Sequence, residues 1–446
     1  MRNRDEALDV VRRAVRACGP ADGAQATMVE KRRESTRYAE NRIAEETRDE
    51  DETLCLRVWV DGREAAGCTA QLGAASIESF AQAVVEKARN ASRAGGPPFA
   101  LPGPQQYPED IHPYIPATAL WTPQQRAESV RIVIQQAGVN GLTIGGTYFT
   151  EVRQMAVANS AGLEAAYAST LAGLTAAADG APSGAAGYGE GYARDVMQIN
   201  PLEVAELAVS RALIGPSPID LEPGEYEVVL DWAAVADLLR CLLPGFSAKA
   251  VQEGRSFLAG ALGKNITGPQ VSITEDPLTS DGLHHPFDSE GMPRQQVELI
   301  RQGVATGVVH DLHTAAREGT NSTGNAADPV SAIRGSGPMP ASIFMAEADE
   351  ELETLIGPVE RGVLITRFGQ LSMENQTGSL LSGTTQNGTF LIENGIIARP
   401  IRDISFRQDI LEAFRGIELV SREQRLMIRN GCHIIAPMLK LGRLSF

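Results

Sequence analysis

The chain reads as an α+β protein, with an N-terminal α+β domain over residues 1–218 and a mostly antiparallel, β-rich domain over 219–446. Three observations support this. Amphipathic helix patterns alternate with strand patterns in the first half. "GPSPIDLEPGEYEVVL" packs three prolines into nine positions near 215–224, as domain junctions often do. Beyond it the sequence becomes strand-heavy and turn-dense, with few helix patterns.

The elements follow in order. Residues 4–18 form a helix with Ala7, Val10, Val11, Ala14 and Val15 as its apolar stripe. Strand-like alternation follows, ending in Leu54–Val60, Asp61-Gly62 and a return strand through Ala65 to Ala70, which together signal a hairpin. "SIESFAQAVVEKARNASRA" is a second helix, capped by Ser76 and stopped by Gly95-Gly96-Pro97-Pro98. A Pro-rich loop leads to a third helix, with Thr122 as N-cap and Pro123 at its first position. Strands then run through Tyr148–Thr150 and Arg153–Asn159, and Asn159-Ser160-Ala161-Gly162 makes a turn. Ala- and Gly-rich strand sequence reaches Tyr192, and Asn200 caps another helix. Past the junction, "EYEVVL" runs straight into a helix over 232–243, with Asp231 as N-cap and Pro244-Gly245 as stop. Val235, Leu238, Leu239 and Leu242 share one face, which leaves Asp237, Arg240 and Cys241 as its chemical groups.

Bulk properties narrow the function. A net charge of −16 argues against nucleic acid, because phosphate backbones demand clustered Lys and Arg. The basic run Lys31-Arg32-Arg33 is matched by the acidic run Asp49–Glu52. No stretch approaches eighteen uninterrupted apolar residues, so no membrane span is expected. The charged, helix-patterned first residues differ from a signal or transit peptide. Five scattered cysteines without a C-x-x-C pair fit reduced thiols and a cytoplasmic location.

Chemical motifs are sparse. None of the six histidines begins H-E-x-x-H. His310 and His313 stand at i,i+3 around Asp311, a spacing that holds a metal only on a helix and with a third ligand. His284-His285 before Pro286 read as a polar turn. "GYGEGY" (187–192) lacks the phosphate-loop spacing, and "GAPSG" around Ser183 is not a nucleophile elbow. Cys432 and His433 are adjacent, which on a strand sends their side chains to opposite faces.

Taken together, "RYAENRIAEETRDEDETLCLRVWVDGREAAGCTAQL", "MAVANSAGLEAAYASTLAGLTAAADG", "FDSEGMPRQQVELIRQGVATGVVHDLHTAAREGTNSTGNA" and "GTFLIENGIIARPIRDISFRQDILEAFRGIELVSRE" resemble successive segments of the TldD/PmbA family. The D-x-E-G-x-P run at Asp288–Pro293, combined with S-T-G-N at Ser322–Asn325, carries most of the specificity. The resemblance implies a two-domain fold, dimerisation and, in TldD-type members, a zinc peptidase. In those members an H-E-x-x-x-H helix follows the first strand of the second domain, and a distal Cys completes the site. Here the helix at that place reads "WAAVADLLRCLL", with neither His nor Glu, and Cys432 lacks the family's Gly-rich surroundings. The resemblance therefore implies the TldE/PmbA-type branch, with no catalytic residue, metal ligand or cofactor of its own. Its expected partner is a zinc-bearing TldD-like chain, acting with it on peptides inside an enclosed chamber; self-association is the other option. Chamber-lining candidates are His310, Asp311, His313, Thr323, Asn325 and Cys432. The alternatives are a zinc-independent amide hydrolase acting on a small metabolite, or a homodimeric binding protein.

Overall fold

The computed structural model describes all residues except 94–99, 110, 181–185, 216, 280–281 and 376–378. The stop Gly95-Gly96-Pro97-Pro98 and Ser183 both fall outside the described residues.

The first half builds one antiparallel sheet under helices. Its strands are β1 (Gly23–Ala39), β2 (Arg42–Val60), β3 (Arg63–Thr69), β4 (Thr143–Asn159), β5 (Glu164–Asp179) and β6 (Ala186–Ala193), in spatial order β3-β2-β1-β4-β5-β6. Alternation assigns the faces. Ala24, Ala26 and Met28 of β1 point with Ala156 and Ala158 of β4 into a core under helices α1 (Arg4–Ala17) and α2 (Ala74–Asn90). A second core joins β4 and β5 to α4 (Pro123–Val139) and α5 (Pro201–Ala212), with the short α3 (Pro116–Ala119) between α2 and α4. The other face carries Val29, Lys31, Arg33, Phe149, Glu151 and Arg153 and walls a cleft.

Local chemistry explains the boundaries. Thr122 and Gln125 form a reciprocal capping box ahead of Pro123, and the Asn200 side chain accepts from two backbone N–H groups of α5. Asn159 Oδ1 accepts from Ala161 N and Leu163 N and so holds the β4–β5 turn. Ser76 is not a cap: α2 begins at Ala74 behind Gly73, with no side-chain cap bond. Asp231 holds the N-cap position of its helix but gives its carboxylate to Arg211 instead of the helix N–H groups.

The β1–β2 register sets Lys31 opposite Asp51, Arg32 opposite Glu50 and Arg33 opposite Asp49, so the basic and acidic runs face each other across the sheet.

The thiol expectation is corrected. Cys55 of β2 and Cys68 of β3 are directly opposed, 4.1 Å apart at Cα, and form a disulfide. Cys18, Cys241 and Cys432 are free. The Asp61-Gly62 turn pairs residue 60 with 63 and, walking outward, 55 with 68. A search for C-x-x-C overlooks such a pair, because it measures distance along the chain and not across a hairpin. The argument from reduced thiols to a cytoplasmic location loses its support.

The second half is organised about a ten-stranded mixed sheet. It contains β7 (Glu225–Leu230), β8 (Ile273–Glu275), β9 (Val297–Arg301), β10 (Val304–Ala305), β11 (Ser342–Met345) and β12 (Arg361–Ile365). A three-stranded sheet of β13 (Phe368–Met373), β14 (Leu380–Thr385) and β17 (Ser405–Asp409) lies apart from it. The large sheet also takes β15 (Thr389–Glu393), β16 (Ile396–Ile401), β18 (Ile417–Arg429) and β19 (Cys432–Ser445). Most pairings are antiparallel; β11–β19 and β7–β12 are parallel. Helix α6 (Trp232–Leu242) leaves β7 and is buried along nearly its whole length in the largest core. Among the described residues no helix is long and apolar enough to cross a membrane.

Candidate functional site

The cleft lies between the bare face of the N-terminal sheet and the second half of the chain. Two cavities open in it, of about 420 Å³ and 580 Å³, and share Arg153, His285, Asp328, Asn430 and Gly431. Arg153 stands on β4, two residues from Met155, so both project from the cleft face. From the opposite side comes the β18–β19 hairpin, whose tip Asn430-Gly431 has φ of 51° and 80°, the left-handed pair that Asn-Gly turns favour. Its flanking residues Arg429 and Cys432 are thereby carried into the cleft.

Loop 287–294 is fixed by the two motifs that carry the family resemblance. Asp288 accepts from Glu290 N and Met292 N through Oδ1 and from Ala326 N through Oδ2. Gly324 has φ of 73°, and a Cβ there would stand 2.3 Å from the Pro293 carbonyl, so D-x-E-G-x-P and S-T-G-N interlock only with glycine at that position. The loop also grips the N-terminal sheet: Thr27 Oγ1 donates to Ser289 O, Tyr107 OH donates to Gly291 O, and Arg57 pairs with Glu290 at 3.3 Å. Burial pushes both Asp288 and Glu290 above the usual carboxylate range; at Glu290 the nearby carboxylates Asp288 and Asp311 add to the effect while Arg57 opposes it, and the group reaches about 8.

The charges in the cleft fall into two groups. Arg429 Nε binds Asp237 of α6 at 2.5 Å, and its Nη2 binds Glu190 of β6 at 2.6 Å. Glu190 also accepts from Tyr192 OH at 2.8 Å. Arg294 is paired with Glu275, a wholly buried carboxylate that also accepts from Ala341 N, Ser342 N and Asn325 Nδ2. By contrast, Arg153 and Arg240 have no ion pair among the described residues. Beside Arg153 the rings of His285 and His433 meet edge to face, 4.9 Å apart. Burial, with nearby arginines adding to it, pushes His433 down to about 3 and His285 well below its ordinary value, so both rings are neutral at pH 7.

Helix α6 does not fit a zinc centre. Zinc needs imidazole, thiolate or carboxylate groups converging on one point. The side chains of α6 are aliphatic apart from Trp232, Asp237, Arg240 and Cys241, and Asp237 is already held by Arg429 and by Phe368 N at 3.0 Å. Among the described residues, no group of three or more His, Cys, Asp or Glu could hold a metal ion.

The six chamber-lining candidates separate. Cys432 lines the smaller cavity; burial raises its thiol above the usual range, which keeps it protonated and unreactive. His433 lines the larger cavity, on the other side of β19. The remaining five candidates line neither cavity. Asp311 caps the short helix α8 (Leu312–Glu318), reached after α7 (Ala248–Gln252), so His310 precedes that helix while His313 lies in it. Thr323 Oγ1 accepts from His310 N and donates to Asn325 Oδ1, and Asn325 is fully buried against Glu275. These residues hold the wall up from behind. Arg153 and the Arg429–Gly431 tip were missed by sequence reasoning, and Arg240 was noted as a polar group of its helix without being placed in a site; the Asn-Gly hairpin signal was available for the tip.

Comparison with known proteins agrees with this architecture. Residues 223–446 match the model of the PmbA/TldA metallopeptidase C-terminal domain, and 122–215 that of the central domain. A metalloprotease of Methanothermobacter thermautotrophicus is 28% identical over 50% of this chain and 48% of its own length, so the match spans about half of that relative. Metalloprotease PmbA of Escherichia coli O157:H7 is 25% identical over 96% of this chain and 93% of its own. Among solved structures, TldE from Thermococcus kodakarensis superposes with a TM-score of 0.88 at 22% identity, covering 98% of both chains. A putative modulator of a DNA gyrase from Thermotoga maritima gives 0.82 at 24%, covering 95% of both. At these identities the structural likeness concerns the fold.

Proposed function

The chain belongs to the PmbA/TldD family, and on that footing we propose that it is a TldE/PmbA-type subunit without a catalytic centre of its own. It pairs with a zinc-bearing TldD-like chain to form a heterodimeric metallopeptidase acting on peptides or peptide-like amides. One observation carries this reading: α6, which follows the first strand of the second half, is a buried packing helix whose single carboxylate is spent on Arg429. Without a metal or a general base at that place, a water molecule keeps a pKa near ~15.7 and is a poor nucleophile at pH 7. The chain contributes one wall of the peptide chamber and the dimer surface; zinc belongs to the partner.

The test is metal analysis and peptidase assay of the purified chain, alone and mixed with a TldD-like chain. The expected result is no stoichiometric zinc and no hydrolysis alone, with activity appearing on mixing. About one zinc bound per isolated chain, or hydrolysis by the metal-stripped chain, overturns the proposal.

A further inference from the structure

We infer that the smaller cavity of this chain is itself a binding site for a carboxylate attached to an apolar group, of the kind found at the C-terminal residue of a peptide. The inference goes beyond the proposed pairing and stands without it.

Charge points to an anion. The protein carries a net charge of −16, yet four arginines line this cavity: Arg153, Arg240, Arg294 and Arg429. The only acidic residue among its lining residues is Asp328, whose Oδ1 is engaged in capping the short helix α9 (Pro329–Ile333) through Val330 N and Ser331 N. Arg294 and Arg429 have their carboxylates already. Arg153 and Arg240 do not, and the only side-chain bond Arg240 makes among the described residues is to Cys241 Sγ, at 3.6 Å. Two uncompensated guanidinium groups facing a concave, partly desolvated space attract an anion more strongly than the same groups on an open surface.

The neighbouring groups restrict its chemistry. Guanidinium forks match the planar carboxylate through paired N–H bonds. Met155, Tyr167, Leu243, Pro244 and Met339 supply an apolar bed beside the cations, as small-molecule sites usually do. The adjoining cavity adds a second signal for a ligand: His433 is 5% exposed, lines that space, and its Nδ1 has no hydrogen-bond partner among the described residues. An apolar bed with two planar cation forks and the neutral imidazole of His285, which lines both cavities, suits a carboxylic acid bearing an aliphatic side chain, and suits a fully hydrated phosphate poorly.

Calorimetric titration of the intact chain tests this, with N-acetyl-L-leucine as probe against N-acetyl-L-leucinamide and inorganic phosphate. The acid is expected to bind at least about tenfold more tightly than the amide or phosphate. Arg153→Gln and Arg240→Gln are each expected to weaken the acid about tenfold while leaving the amide unchanged, and Arg153→Lys to retain part of the affinity. If Arg153→Gln fails to fold, Arg240→Gln decides. Equal binding of acid and amide, phosphate binding as tightly as the acid, an unchanged acid affinity in folded variants, or no binding of the acid at all would each overturn the inference.

Discussion

Arg429 and Arg153 stand on opposite walls of one cleft, and their surroundings treat the same side chain in opposite ways. Arg429 is clasped by Glu190 from the first half of the chain and Asp237 from the second, so its charge is spent on joining them. Arg153 has aromatic and imidazole neighbours and no carboxylate within ion-pair distance among the described residues. The contrast separates scaffold from site: a buried charge given a full set of partners holds architecture, and a charge left unmatched beside a cavity is available to something that enters.

The sharpest way to break the comparison is to remove the paired cation. Arg429→Met leaves Glu190 and Asp237 facing each other's region with no counter-charge, and the expected loss is about 3–5 kcal/mol, read from urea unfolding at pH 7. Combining it with Glu190→Gln and Asp237→Asn is expected to restore part of the loss, because the stranded charges are then gone. A single-variant loss below about 1 kcal/mol, the size of an exposed pair, would show that the network is decorative.

A second, smaller effect concerns the loop beneath the cleft. Glu290 is 5% exposed, and its carboxyl lies well above its ordinary value. A carboxyl raised in the folded state binds more protons folded than unfolded, so its contribution to stability falls as pH climbs from the ordinary carboxylate range to about 8. Glu290→Gln removes that ionisation, keeps an acceptor for Leu312 N and gives up the Arg57 ion pair. The expected outcome is a flatter stability profile and a gain of about 1–3 kcal/mol at pH 8 relative to pH 5, measured by denaturant unfolding at both values. A parallel shift of the whole profile would mean that the Arg57 pair, and not burial, governs this carboxyl.

The sequence conveys these two kinds of region unequally. Elements set by local rules were legible: the capping at Thr122 and Asn200, the Asp61-Gly62 hairpin, and the aliphatic stripe of α6. Ser76 was misread because a serine near a helix start resembles a cap even when the helix has already begun at Ala74. The cleft was hidden for a different reason. Arg153 and Arg240 lie 87 positions apart on a strand and a helix from different halves, and no periodicity reports that they share a cavity. Thr323 and Asn325 drew attention as polar residues in a distinctive motif, yet their hydrogen bonds are spent on each other, on the His310 backbone and on Glu275. Thr323 and Asn325, so engaged, brace the wall, whereas Arg153 and Arg240 face the cavity with no ion pair among the described residues.

The smallest expected effect completes the comparison. Arg153 forms no ion pair among the described residues, so Arg153→Gln strands no carboxylate and opens no unsatisfied partner. Its unfolding free energy should stay within about 0.5 kcal/mol of the parent, the range of substitutions that touch no structural feature. A slight gain would fit equally, since the side chain shares its surroundings with Arg294, which also bears on His433. A loss above about 2 kcal/mol would place Arg153 with Arg429 as a structural cation and dissolve the distinction between the two walls. The measurement has to be made without added carboxylates, because an anion bound to the folded parent alone would stabilise it by mass action and imitate a structural role. Near-zero change in plain buffer, joined to a parent-only rise in stability when the acid is added, is the pattern that a cation reserved for a ligand requires.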